Sequence, residues 1–320
     1  MDAFSDHDVS EVVIMSSAQV GKTEFLNNVL GYHVHQDPSP ILLLQPTLEM
    51  AETYSKDRLA PMIRDTPALN ELIKDPRARD SGNTLLKKNF PGGFLAMAGS
   101  NSPSSLASRP CRIVLCDEVD RYPASAGTEG DPVNLARKRT ATFLNRKICL
   151  TSTPTEKGKS RIEIAYEASD KRRYAVPCPH CDEMQPLDWS NVKWDKDKPE
   201  TAHYVCRECG CVIDHKEKVK MLKGGEWVAG APFKGVAGFH LSELYSPWRT
   251  WAEVAIDFLQ AKQQPELLKT WVNTSLGETW EESGEKADPD ILYSRREEYT
   301  DPPEDVLLVV ASVDTQDDRL

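Results

Sequence analysis

The chain has no long apolar run. Its longest, ILLL at 41–44 and VLLVV at 306–310, fall far short of the roughly 20 residues that a membrane-spanning helix needs. No charged-then-apolar leader opens it either, so the expected location is a cytosol and no membrane partner is expected. Positive charge is also short. Lys and Arg number 39 against 50 Asp and Glu, a net charge of −11, which excludes a surface coated in basic residues. Contact with nucleic acid must then come from local patches. There is no internal repeat and no low-complexity tail. Cysteine is unevenly spread rather than scarce. Cys111, Cys116 and Cys149 lie in or beside apolar runs and read as small core residues, whereas Cys178, Cys181, Cys206, Cys209 and Cys211 crowd into one short region. In a reducing compartment such crowding points to metal, not disulfides.

Residues 1–171 alternate short aliphatic runs with longer amphipathic ones, the pattern of βα units around a mainly parallel sheet flanked by helices. EVVIM (11–15), ILLLQ (41–45), RIVLC (112–116) and KICLTS (147–152) read as buried strands. Helices are expected at about 23–30, 47–63, 133–143 and 159–169, and a hairpin at FPGGFLAMAG (90–99). Residues 172–216 turn to Cys, Pro, Asp and Lys, too poor in aliphatics to build a core without a staple. From 217 to 300 the chain regains aromatics and amphipathic helices (WAEVAIDFLQAKQ and PELLKTWVNTSLGETW) before a charged run, RREEYTDPPED, that looks like a linker. Residues 305–320 then open as a strand.

What IMSSAQVGKTEF (14–25) lacks is the first glycine of a phosphate-binding loop: Ser16 stands there. The context is nevertheless right, with a strand entering and a helix leaving. The candidate loop is Ser16, Ser17, Ala18, Gln19, Val20, Gly21, Lys22 and Thr23, with Lys22 reaching the β- and γ-phosphates and Thr23 holding Mg²⁺. A GK[ST] turn before a surface helix would look the same. The second signal is RIVLCDEVD, a buried strand delivering Asp117 to a Mg²⁺ water shell and Glu118 to an attacking water. The third is KICLTSTPTEKG, which places the hydroxyls of Ser152 and Thr153 at a strand end before Pro154. Loop, acid pair and hydroxyl strand, in that order, carry more than any one of them.

These residues, with LLLQPTLEMAETYSKDRLAPMI, SPSSLASRPCRIVLCDEVDRYP and VPCPHC, resemble the ATPase region of the lambda-type large terminase subunit, a motor that pumps viral DNA into a capsid. The resemblance covers nearly the whole chain. It implies an α/β P-loop NTPase of the ASCE type that binds ATP and Mg²⁺, with Lys22 and Thr23 on the phosphates and metal, Asp117 on Mg²⁺, Glu118 as the catalytic acid and Ser152-Thr153-Pro154 as a coupling motif. Many relatives carry an arginine within the loop where this chain has Ala18. Arg109 matches an arginine that reaches a neighbouring subunit's nucleotide, which implies a homo-oligomeric ring; a solvated arginine in a Ser-Pro loop is the other reading. Implied partners are double-stranded viral DNA, a small terminase subunit and the portal of a procapsid, in a bacterial host's cytoplasm. VLLVVASVDTQDD resembles the first strand of an RNase H-like nuclease, with Asp314 its first acid; the chain is expected not to cut DNA by itself, although the full-length protein would.

Cys178-x-x-Cys181 and Cys206-x-x-Cys209, 24 residues apart, match the two knuckles of a zinc ribbon holding Zn²⁺. Cys211, His180 and His203 are alternates. Nothing basic and aromatic interleaves there, so a structural pin is the expected job. The basic stretches 136–147 and 157–161 are candidate DNA contacts, or solvated helix faces. A helicase-like translocase would use the same three motifs but needs a second motor domain. A zinc-ribbon DNA-binding adaptor with a decayed phosphate loop is the remaining alternative, disfavoured by intact Lys22, Thr23, Asp117 and Glu118.

Overall fold

Short β-branched and aliphatic runs become the strands of one large sheet in this computed structural model, which describes residues 1–74, 82–103, 106, 110–281, 294 and 296. The strands are β1 (Glu11–Ser16), β2 (Pro40–Gln45), β3 (Lys87–Phe90), β4 (Gly93–Gly99), β5 (Ile113–Asp117), β6 (Lys147–Ser152), β7 (Arg172–Pro177), β8 (Met184–Pro186), β9 (Val192–Asp195), β10 (Lys198–Val205), β11 (Val212–Ile213), β12 (Glu226–Val228) and β13 (Val236–Leu241). Ten of them form one sheet in the order β12-β7-β13-β1-β6-β5-β2-β4-β3, with β8 beside β7. From β7 through β4 every neighbour is parallel; β12, β8 and β3 are antiparallel additions. β9, β10 and β11 make a separate antiparallel sheet.

The central strands are apolar at nearly every position because both their faces are covered. On β5, Ile113 and Leu115 join the core beneath the helix Lys22–His35 and the segment 48–65, while Val114 and Cys116 join the opposite core beneath the helices Pro132–Lys138 and Arg161–Glu167. Cys111, Cys116 and Cys149 are buried core residues as their surroundings in the sequence suggest. A third core, built on Trp251, Tyr204, Val176 and Trp271, joins the cysteine-bearing segment to the helix Trp251–Ala261.

Several elements differ from their sequence reading. The helix expected at 23–30 runs to His35, since Gly31 sits where a Cβ would meet only Met62 and Leu69 side chains in ordinary contact. The helix expected at 133–143 stops at Lys138, where the chain tightens into i→i+3 turns at Arg139 and Thr140 and leaves Leu144 wholly exposed. The expected helix 47–63 is two helices, Leu48–Tyr54 and Ala60–Asp65, joined by a π-turn at Ser55–Leu59. The hairpin at 90–99 is present as β3 and β4, turning at Gly92 with φ +82°.

The sheet also runs across residue 171, because β7, β12 and β13 complete it from beyond that point. VAGFHL hides its strand nature behind Gly238 and His240. Gly238 is required: a Cβ there would lie 1.8 Å from the Ser169 hydroxyl oxygen and 2.7 Å from its Cβ. Residues 1–281 form one compact unit; of residues 282–320 only Ser294 and Arg296 are described, so the linker and the strand carrying Asp314 lie outside the described residues.

Asp170 fastens this extension. Its carboxylate accepts from the Gly238 N–H at 2.9 Å and from Arg172 Nε at 2.7 Å, while its carbonyl accepts from Gly230 and Ala231 N–H. It is only 1% exposed. Removing one partner from such a buried network is expected to cost about 3 kcal/mol. Asp170→Ala should therefore lower the urea midpoint by that equivalent, and a loss below about 1 kcal/mol would show that the node holds nothing.

Candidate functional site

Parallel strands bring their carboxyl ends to one edge, and here β1, β2, β5 and β6 deliver Ser16, Gln45, Asp117 and Ser152 side by side. β6 lies between β1 and β5. After β1 the chain turns through Gln19 (φ +57°) and Gly21 (φ +100°) into the helix at Lys22. The first N–H groups of that helix have no partner within it and point to the edge of the sheet. Ser16 and Ser17 are fully buried.

Lys22 folds back over its own loop. Its ammonium donates to the Thr153 hydroxyl at 2.8 Å, to the Ser17 carbonyl at 2.9 Å and to the Ser16 carbonyl at 3.4 Å, and stands 3.7 Å from Glu118 Oε1. Burial lowers its pKa from the ordinary lysine value, opposed by the charges of Glu118 and Asp117. Loop, acid pair and hydroxyl strand thus meet at one nitrogen.

Asp117, 7% exposed, is held from both sides: Oδ1 accepts from the Thr151 hydroxyl at 2.7 Å and Oδ2 from Gln45 Nε2 at 3.1 Å. Each carboxylate oxygen can accept more than the one hydrogen bond it receives here. Glu118 leaves the strand in the left-handed region (φ +53°, ψ +51°), a strained choice for a non-glycine residue that costs about 1 kcal/mol or more and swings its carboxylate out of the strand line. Its Oε2 and the hydroxyl of Ser17 are buried yet accept or donate no hydrogen bond within the described residues. Ser152 Oγ accepts from Asp120 N–H at 3.2 Å, and Asp120 in turn holds Thr155 Oγ1 at 2.9 Å and the Ile162 N–H at 2.8 Å. A cleft of about 770 Å³ opens over this knot, lined by Ala18, Gln19, Gly21, Lys22, Thr23, Glu118 and Thr153, with Arg58, Arg121 and Arg249 at its walls. A smaller cavity of about 220 Å³ shares Gly21 and Lys22 with it and is lined by Phe4, Phe25, Trp227 and Phe239. Val20 also lines this second cavity. Arg109 lies outside the described residues.

Sequence reading missed Gln45, Thr151 and Asp120, each a polar residue at a strand end with no motif to mark it. It also missed a strap at 272–281. Thr274 carbonyl accepts from the Ala18 N–H at 2.8 Å, Asn273 Nδ2 donates to the Thr155 carbonyl at 2.8 Å, and Trp280 N–H donates to the same carbonyl at 2.9 Å. Gly277 (φ +67°) passes so close that a Cβ would sit 2.5 Å from the Ser17 nitrogen. The strap therefore touches both the loop and the segment after Thr153.

The four cysteines named from their spacing come together. Their sulfurs all lie within 4.8 Å of one another, Cys178 to Cys209 and Cys181 to Cys206 at 3.9 Å each. Two matching turns build the cluster: Asp182 N–H donates to the Cys178 carbonyl and Gly210 N–H to the Cys206 carbonyl, both at 3.0 Å, with Asp182 and Gly210 in the left-handed region. Gln185 Nε2 donates to Cys206 Sγ at 3.1 Å. Cys211, His180 and His203 are not in the set; the two histidine rings face the Val212 and Thr201 carbonyls instead.

The basic stretches are largely occupied. Arg137 pairs with Glu11, Lys147 is buried against the Asp6 and Val9 carbonyls, Arg161 pairs with Asp131 at 3.0 Å, Lys157 with Glu281 at 2.7 Å and Lys159 with Glu156 at 2.9 Å. Lys138 and Arg146 remain exposed. Among the described residues no helix is long and apolar enough to cross a membrane.

Fold and site together define a mixed α/β protein with a mostly parallel sheet whose strand-end edge carries a glycine-lysine loop facing an acidic pair. The chain belongs to the phage terminase large subunit family: the family of the gpA ATPase domain matches residues 1–227, and that of the gpA endonuclease domain matches residues 236–320. It is 34% identical to the terminase large subunit of Enterobacteria phage P21 and 31% identical to that of Escherichia phage lambda, in each case over 100% of this chain and 54% of the relative. The chain therefore spans about half the length of these curated relatives. The large terminase ATPase domain of Thermus phage P74-26 aligns with a TM-score of 0.48 at 16% identity, covering 86% of this chain and 91% of that one.

His240 on β13 holds the strap, its Nε2 meeting the Gly277 carbonyl at 3.1 Å. Burial, helped by the nearby Arg173 guanidinium, pushes its pKa down to about 4. A histidine kept neutral in the folded state is protonated first in the unfolded chain, so its contribution is present above about pH 6.5 and is lost as pH falls toward 4. The chain should lose about 3 kcal/mol of unfolding free energy across that window beyond what its carboxylates explain, and His240→Gln should flatten the profile. Superimposable profiles would contradict the assignment.

Proposed function

We propose that this chain is the ATP-hydrolysing motor portion of a DNA-packaging terminase, a P-loop NTPase of the ASCE type. The observation that carries the reading is the Lys22 ammonium, shared between its loop, the Thr153 hydroxyl and Glu118. A buried cation held by two carbonyls and a hydroxyl, with its carboxylate partner at 3.7 Å, fits a site that binds phosphate. Two buried polar atoms that make no hydrogen bond among the described residues, Glu118 Oε2 and Ser17 Oγ, fit the same picture.

In this reading the triphosphate lies in the cleft on the N–H groups of residues 19–23, and Lys22 exchanges its carbonyl contacts for phosphate oxygens. Thr23 and Asp117 hold Mg²⁺, which neutralises charge on the phosphates when bound. Gln45 and Thr151 hold the Asp117 carboxylate in place through one hydrogen bond to each oxygen. Glu118 orients and deprotonates the attacking water, its carboxylate already turned out of the strand. Loss of the terminal phosphate releases Lys22 to Thr153, and the segment 153–157 shifts with the strap. The cavity walled by Phe4, Phe25, Trp227 and Phe239 suits a flat nucleobase. Arg109 from a neighbouring subunit in a ring remains a proposal on the resemblance alone.

The four cysteines fit Zn²⁺ as a structural pin. Tetrahedral Zn–S bonds of about 2.3 Å separate sulfurs by about 3.8 Å, against 3.9 Å here. Double-stranded viral DNA as the moved substrate, the small subunit and portal as partners, and a host cytoplasm as the setting follow from the family. Exposed Lys138 and Arg146 are what the basic stretches still offer to a DNA backbone. Endonuclease activity, with Asp314 as its first acid, is proposed for the longer protein.

Glu118→Gln should keep MgATP affinity within about threefold while slowing hydrolysis by about a hundredfold or more, read in a phosphate-release assay. Hydrolysis equal to wild type would remove Glu118 from the chemistry. Native mass spectrometry should show one zinc per chain, lost in Cys206→Ser; a metal-free wild-type mass would remove the ribbon.

A further inference from the structure

The cleft has a charge deficit that its loop does not fill. Residues 16–23 contain a single cation, Lys22, and its charge is already faced by Glu118 at 3.7 Å. A triphosphate brings about four negative charges and its magnesium offsets two. Three arginines line the same cleft. Arg121 stands 3.7 Å from Glu118 Oε2, and Arg249 is bound to Glu243 at 3.0 Å and to Asp257. Arg58 has no ion pair among the described residues, although Lys56, two residues away, pairs with Glu52 at 3.7 Å.

Arg58 is also the residue that an irregular backbone presents. In a regular helix Tyr54 and Leu59, five residues apart, would lie about 140° apart around the axis, at the two margins of a buried stripe. The π-turn Ser55–Leu59 lies between them and brings them closer to one face; both are buried, 6% and 2% exposed, while Lys56, Asp57 and Arg58 within the turn are exposed. Such turns cost hydrogen-bond quality and recur at functional sites. The base of this one is rigid. Tyr54 OH donates to Asn27 Oδ1 at 2.6 Å on the helix that starts at Lys22, and Ser55 Oγ donates to the Leu85 carbonyl at 2.5 Å. The long side chain of Arg58 thus springs from a base fixed to the phosphate-loop helix itself.

We propose that Arg58 is a further catalytic residue, a cation supplied from within the same chain whose guanidinium donates to the terminal phosphate oxygens as charge develops there. The planar fork of arginine suits two phosphate oxygens at once. This rests on the reading of the cleft as the nucleotide site and adds a residue to it.

The test compares the whole chain with Arg58→Ala and Arg58→Lys, using fluorescent MgADP alone and MgADP with aluminium fluoride, a mimic of the transferring phosphate. Wild type should bind both. Arg58→Ala should bind MgADP within about threefold of wild type, lose the aluminium fluoride complex by tenfold or more, and slow hydrolysis by about a thousandfold, with Arg58→Lys between. An unchanged melting temperature is expected, since the side chain is exposed. If Arg58→Ala forms the fluoride complex as wild type does, the Arg58 assignment falls and the nucleotide site stands. If wild type binds neither ligand, the reading of the cleft falls and Arg58 with it.

Discussion

A buried ammonium whose partners come from three separate strand ends is the constraint around which this molecule is arranged. Lys22 is drawn out of water by the loop that carries it, and it is stabilised by two carbonyls, one hydroxyl and a carboxylate at longer range. The carbonyls come from the end of β1 and the loop after it, the carboxylate from the end of β5 and the hydroxyl from the end of β6, so the nitrogen is satisfied when β1, β6 and β5 lie side by side in that order. The sheet meets that need by placing β6 between the loop strand and the acid strand. Desolvation keeps the cation poised: every donor contact it makes here is one that an anion in the cleft would replace with a stronger one.

The same knot is tied from behind. The strap at 272–281 meets the loop at Ala18 and Ser17 and meets the segment after Thr153 at Thr155, and it is in turn pinned by buried His240 and by Lys269 on Glu156 at 2.5 Å. Residues 236–281 lie in the stretch that matches the endonuclease-domain family, yet they supply β13 beside β1 and the strap under the loop. Sequence families and the physical unit divide at different places.

Much of this was legible because the relevant signals are local. Strands buried on both faces announce themselves as aliphatic runs, and KICLTS was read to its last residue. The three motifs and the cysteine pairs are short, ordered and chemically specific, so residues 22, 117, 118 and 153 were brought together by the structure as the sequence suggested. What was hidden depends on long-range contacts. Gly238 looks like a strand breaker until Ser169 is seen against it, Gly277 looks like an ordinary helix end until Ser17 is found 2.5 Å from where a side chain would start, and Gln45 is an unremarked amide until Asp117 meets it. The π-turn is invisible in the sequence, because helix periodicity continues through it.

The most direct measurement of the central claim is a calorimetric titration of the chain with a slowly hydrolysed ATP analogue and Mg²⁺, comparing wild type with Lys22→Ala. The account predicts one site per wild-type chain and at least about a hundredfold weaker binding in the variant, because the alanine removes the one cation the loop aims at the phosphates. Equal affinity in the two proteins would contradict it.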